Sequence, residues 1–221
     1  QYYRQKGSWK HMRILIADDH GLIREGLKKI LLESLPFAEI HDVSDSAELF
    51  KKSIKEPWDI IISDISMPGY SGIEILKQIK THVPNTPVLM LSMHSPEQYA
   101  VRAIKAGASG YLTKESAPYE LVTAVQQILA GRKYITNRVA EVLASSLETD
   151  SSKLPHENLS DREFEVLKKL VEGKSVSEIS EMLSLNINTI STYRARILDK
   201  MGLRSNADLI RYAIEHKLSD L

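Results

Sequence analysis

The chain has 221 residues, 43% of them hydrophobic and 26% charged, with 29 basic against 29 acidic side chains and no cysteine. This is an ordinary soluble composition, long enough for one large domain or two small ones. It excludes disulfides, thiolate metal sites, a bilayer-spanning apolar run and a strong whole-chain field, and it fits a reducing cytoplasm.

Gln1 to His11 carries no apolar period, and Met12 stands directly before the first strand. Residues 1–11 are read as an expression remnant and Met12 as the native start, a native basic arm being the alternative. Arg13-Ile14-Leu15-Ile16-Ala17 is then a short apolar run closed by Asp18-Asp19. Leu22, Leu27, Ile30, Leu31 and Leu35 recur at helical spacing after it, and Ile40 to Val43 forms a weaker strand. Asp45 is placed to cap a helix through Leu49, Phe50 and Ile54. Asp59-Ile60-Ile61-Ile62-Ser63-Asp64 reads as a strand buried on both faces; it ends in one acid and breaks at Pro68-Gly69.

A helix from Gly72 to His82 follows, then Val88-Leu89-Met90-Leu91-Ser92 as the fourth strand. Ser95-Pro96 opens a helix that Gly107 stops, Gly110 to Lys114 holds the fifth strand, and Pro118 opens a helix closing near Gly131. Strand and helix alternate five times, which predicts an α/β doubly wound five-stranded parallel sheet over 12–131. An amphipathic segment (Val139, Val142, Leu143, Leu147) leads into a polar linker from Glu148 to Asn158, so 132–158 connects two domains. From 159 to 221 the pattern is all-helical, with capping boxes at Ser160–Glu163 and Ser175–Glu178.

In open parallel sheets chemistry gathers at the carboxyl ends of the strands. Those ends carry Asp18, Asp19, Asp64, Ser92 and Lys114. Converging carboxylates repel unless a cation neutralises them, and hard oxygen ligands favour magnesium. A carboxylate beside such a cation can attack phosphorus to form an acyl phosphate, with a hydroxyl and an ammonium holding the phosphoryl oxygens. A phosphatase using the same aspartate would want a second acid two residues later; Ser66 stands there instead.

With the acidic pair, the Asp-x-x-Met-Pro-Gly turn, the hydroxyl after the fourth strand and the lysine after the fifth, residues 12–131 resemble the receiver domain of bacterial two-component response regulators. The resemblance implies a flavodoxin-like fold. It implies Asp64 as phosphoacceptor, with Mg2+ held by Asp19, Asp64 and the Ser66 carbonyl, and by Asp18 through water. Lys114 would then pair with the phosphoryl group. Ser92 and Tyr111 would form the switch, the ring turning inward once phosphate is present. Ser66 and His94 occupy positions that tune phosphate lifetime in this family; His20 and His94 are otherwise read as loop residues. Such a chain is a phosphoacceptor rather than a turnover enzyme, and it implies a sensor histidine kinase as partner. The alternative is a DNA-binding regulator whose receiver does not switch.

Leu159-Ser160-Asp161-Arg162-Glu163, Gly173, Glu178-Ile179, Thr189-Ile190 and Lys200-Met201-Gly202-Leu203 make 159–221 resemble the LuxR-type helix-turn-helix domain, and the whole chain the NarL/FixJ class. Ile190, Tyr193, Ile197 and Met201 share one helical face, so Asn188, Ser191, Thr192, Ala195 and Asp199 point outward. Thr189, Arg194, Arg196 and Lys200 flank them as further candidate contacts to double-stranded DNA. From Pro155 onward there are 10 basic and 11 acidic residues, so the positive surface is small. Few phosphate contacts mean weak binding by one reader domain, which predicts a homodimer on a symmetric site. The final helix (Ala207, Leu209, Ile210, Ala213, Ile214) has more apolar positions than a three-helix core requires, which offers a helix–helix contact for it.

Overall fold

The computed structural model describes residues 12–67, 69–148 and 154–218. Residues 1–11, read as a remnant, the proline of the Pro68-Gly69 turn, linker residues 149–153 and residues 219–221 lie outside the described residues. Five strands, β1 Arg13–Ala17, β2 Glu39–Val43, β3 Ile60–Asp64, β4 Val88–Ser92 and β5 Gly110–Thr113, form one parallel sheet in the order β2-β1-β3-β4-β5. Between and after them run α1 Gly21–Ser34, α2 Ser46–Lys55, α3 Gly72–His82, α4 Pro96–Lys105 and α5 Ala117–Leu129.

Alternate residues of each strand feed opposite layers, which is why the β3 isoleucine run is buried throughout. Ile60 and Ile62 pack with Ile14, Ile16, Leu89 and Leu91 under α1 and α5. Ile61 packs with Leu15, Met90 and Tyr111 under α2, α3 and α4. Asp45 caps α2 by accepting from the Glu48 N–H, as expected. Ser95 caps α4 without a side-chain hydrogen bond. Leu22 departs from the expected apolar face of α1: it is 89% exposed, because it stands off the side that Ile23, Leu27, Ile30 and Leu31 turn to the core.

The sheet continues past β5. Tyr134 bridges Gly110 in parallel, and its N–H donates to the Ser109 carbonyl. Helix α6 Asn137–Glu148 follows, its Val139 fully buried in the layer that also holds α4. The last part of the stretch read as linker, Pro155–Asn158, is a short 3-10 turn. Among the described residues four helices follow: α7 Asp161–Val171, α8 Val176–Met182, α9 Ile187–Met201 and α10 Asn206–Glu215. Both expected capping boxes are formed, and Gly202 ends α9 in the left-handed conformation.

Candidate functional site

The sheet order places β1 beside β3 at the point where the strand sequence reverses, so the acids that end these two strands meet. Asp18 and Asp64 are buried while Asp19 is exposed. The Lys114 ammonium, carried just past β5, lies 2.6 Å from Asp18 Oδ2 and 2.7 Å from Asp64 Oδ2. Asp64 Oδ1 accepts from the Ser66 N–H at 3.2 Å. Ser92 is buried, and its Oγ accepts from the His94 N–H.

Burial pushes the Asp64 carboxyl above the usual carboxylate range, with Lys114 opposing and Asp18 reinforcing. Burial works against the Lys114 ammonium too, but Asp64 and Asp18 outweigh it and raise its pKa. Asp18, Asp19, His20 and Asp64 each offer a ligand atom, all within 4.8 Å of one another. Three carboxylates against one ammonium leave negative charge uncompensated, so the donor set fits a hard divalent cation. His20, read as a loop residue, turns its Nδ1 to within 2.8 Å of Asp19 Oδ1 and its backbone N–H to Asp18 Oδ1. Its place directly after the acid pair was the only signal for that.

Tyr111 is fully buried, and its hydroxyl donates to the His94 carbonyl at 2.9 Å. The ring stands inward in this structure, a position the resemblance links to the phosphorylated state.

In the helical domain, Ile190, Ile197 and Met201 of α9 are buried and Tyr193 is half-buried. Asn188, Ser191, Thr192, Ala195 and Arg196 are exposed on the opposite side, and Thr189 is half-buried. Two of the candidate cations are engaged within the domain. Arg194 Nε donates to Asn206 Oδ1 at 2.8 Å, tying α9 to α10, and Lys200 pairs with Glu163 at 2.7 Å. Among the described residues, Arg196 and Arg204 of this region have no ion-pair partner.

Two family models match this arrangement: the response regulator receiver domain over residues 14–126, and the bacterial regulatory proteins of the luxR family over 157–213. The chain is a response regulator. It is 31% identical over 208 residues to Response regulator UvrY of Escherichia coli K12, covering 94% of this chain and 95% of that one. It is also 31% identical over 216 residues to Oxygen regulatory protein NreC of Staphylococcus carnosus, covering 95% of this chain and all of that one. Among solved structures it resembles RcsB from Salmonella enterica serovar Typhimurium bound to a promoter in the presence of the phosphomimetic BeF3-. That match has a TM-score of 0.59 and 29% identity over 92% of this chain and 98% of RcsB.

The response regulator also buries charged residues of its first C-terminal helix. Arg162, Glu165 and Lys168 of α7 are all buried. Arg162 donates to Gly69, just downstream of the acid site, and Lys168 to Gln98 of α4. No helix of the described residues is long and apolar enough to cross a membrane.

Proposed function

We propose that this response regulator is a cytoplasmic, phosphorylation-switched DNA-binding transcription regulator whose acceptor is Asp64. The observation that carries the reading is the meeting of Asp18, Asp19 and Asp64 with the Lys114 ammonium at one sheet edge. Asp19, Asp64 and the Ser66 carbonyl are assigned to Mg2+, with Asp18 acting through water. The cation would supply charge neutralisation for the approach of a phosphoryl group. One Asp64 carboxylate oxygen attacks phosphorus; a P–O bond forms and the P–N bond of a kinase phosphohistidine breaks, the imidazole retaining the electron pair. Lys114 then exchanges its bond to Asp64 for one to a phosphoryl oxygen, and Ser92 Oγ turns from the His94 N–H to another. The protein is the acceptor of the reaction and its covalent state the product.

Acetyl phosphate with magnesium, followed by intact mass, tests the assignment. One phosphoryl adduct is expected on the wild type and none on Asp64→Ala. An equal adduct on Asp64→Ala, or none on either, overturns it.

On the reading face, Arg196 is assigned to DNA phosphates and Asn188 to base edges, because both are exposed along α9 and Arg196 has no competing ion pair. Arg196→Ala is expected to weaken binding uniformly across sequences and to lower the salt slope by about 1. Asn188→Ala should instead relax the preference at one base position, by about 1–3 kcal/mol. Fluorescence anisotropy at several salt concentrations, on cognate and scrambled duplexes, separates the two. Binding as a homodimer through the exposed Ile214 side of α10 completes the reading.

A further inference from the structure

The helical domain is seated on the receiver through α7, not through α9. Arg162 Nη2 donates to the Gly69 carbonyl at 2.8 Å. Lys168 Nζ donates to Gln98 Oε1. Asp161 takes Lys77 at 2.5 Å and Arg102 at 3.2 Å. Arg102 also donates to the His156 carbonyl at 2.7 Å, and its guanidinium lies over the Phe164 ring. The exposed side of α9, with Asn188, Ser191, Thr192, Ala195 and Arg196, takes no part in this seam. Releasing the domain would therefore uncover nothing that DNA needs.

Two parts of the seam reach the acceptor chemistry. The loop after Asp64 is held from both sides: Tyr70 N–H donates to Ser46 Oγ at 2.8 Å, and Arg162 takes the neighbouring Gly69 carbonyl. That loop carries the Ser66 N–H bonded to Asp64. In parallel, a line of rings runs from the switch. Tyr111 bonds the His94 carbonyl, the His94 ring lies 5.3 Å from Tyr99, and Tyr99 meets the Phe164 ring edge-on at 5.3 Å. Tyr99 is 5% exposed and Phe164 1%, so docking seals the aromatic layer with Tyr111 inside.

We propose that the docked arrangement is the on-state of this regulator, with Arg162 acting as a positioning residue for the acceptor loop. Docking and phosphorylation then stabilise one another: α7 holds the loop and the inward Tyr111 that the phosphoryl group requires. By linkage, the phosphoryl group holds α7 in its seat to the same degree. DNA is read by a domain fixed in orientation on the receiver, a favourable starting point for pairing two readers on one site. The inference rests on Asp64 being the acceptor.

The test is beryllofluoride–magnesium titration of the full chain, with bound fluoride read by 19F NMR. Two variants open the seam independently. Asp161→Lys faces Lys77 and Arg102 with a like charge. Arg162→Gln combined with Glu165→Gln removes the bond to Gly69 without stranding a buried carboxylate. Each is expected to bind beryllofluoride about fivefold or more weakly than the wild type, in line with ordinary coupling between sites. A thermal melt identifies any variant that fails to fold; the other then decides.

The second measurement is the inter-domain distance by pulsed electron resonance. The chain has no native cysteine, so labels at Lys51→Cys and Glu181→Cys report one distance, with labelled protein diluted into unlabelled. Beryllofluoride is expected to narrow that distribution. Equal or tighter beryllofluoride binding by the folded variants, or a broadening of the distance, overturns the inference and leaves the acceptor reading intact. Failure of the wild type to bind beryllofluoride overturns both.

Discussion

Asp64→Asn should take up no phosphoryl group from acetyl phosphate and yet melt above the wild type at neutral pH without magnesium. The first half follows from loss of the nucleophilic carboxylate oxygen. The second follows from burial. Asp64 is 1% exposed, and desolvation holds its pKa above the usual carboxylate range despite Lys114. A group with a raised folded pKa gives a stabilising contribution that is complete below its unfolded pKa of about 3.9. That contribution is lost as pH rises through the folded value. At neutral pH the anion is buried at a net cost, and the amide removes it while Lys114 keeps Asp18 at 2.6 Å. The gap between variant and wild type should open from acid to neutral pH. It should close on adding Mg2+, because the proposed carboxylate site exists only in the folded wild type. Calorimetric melts at pH 4 and pH 7, with and without magnesium, check all four corners. A variant that melts below the wild type at pH 7 without magnesium would show that the Lys114 ion pair outweighs desolvation.

This separation of chemistry from stability also marks what could be read in the chain. The strands ending in acid, hydroxyl or ammonium were legible because each is a local apolar run ending at a polar residue, and a parallel sheet carries all such ends to one edge. Caps were legible for the same reason: Asp45, Ser160 and Ser175 each act within three residues. The α7 seat was not. Arg162 and Lys168 alternate with acids along a helix, which normally marks a solvated face. Their partners Gly69 and Gln98 lie 93 and 70 residues away. Lys200 and Arg194 likewise looked available to DNA, and only the packing of α9 brings Lys200 to Glu163 and Arg194 to Asn206. Leu22 erred in the opposite direction. It is apolar but lies five residues before Leu27, off the side that Ile23, Leu27, Ile30 and Leu31 turn to the core. For the α7 and α9 residues, spacing along the chain described the helix faithfully, and what the face meets was decided by other elements of the fold.

The largest effect on folding should come from the smallest addition, Gly72→Ala. A methyl on Gly72 would stand 2.5 Å from the Ile65 carbonyl oxygen and 2.6 Å from its Cα, both backbone atoms that no rotamer change can move. The Gly72 N–H also donates to that same carbonyl at 3.1 Å, closing the acceptor loop against the start of α3. The close approach, rather than an unusual dihedral angle, is what demands glycine here. Overpacking of this kind costs about 3 kcal/mol, which lowers the receiver's melting midpoint by roughly 10 °C. The loop that yields is the one carrying Ser66 and Gly69, so phosphoryl uptake should slow at temperatures where the variant is still folded. Gly26→Ala in α1 is the matched control. Nothing lies within 4 Å of its added methyl, and alanine is favoured over glycine in a helix interior by about 1 kcal/mol. One methyl should therefore destabilise at Gly72 and stabilise at Gly26, with phosphoryl uptake unchanged in the second. Equal melting of the two variants would mean that the acceptor loop can move away from α3 without cost. Its geometry would then be set by Ser46 and Arg162 rather than by the helix it precedes.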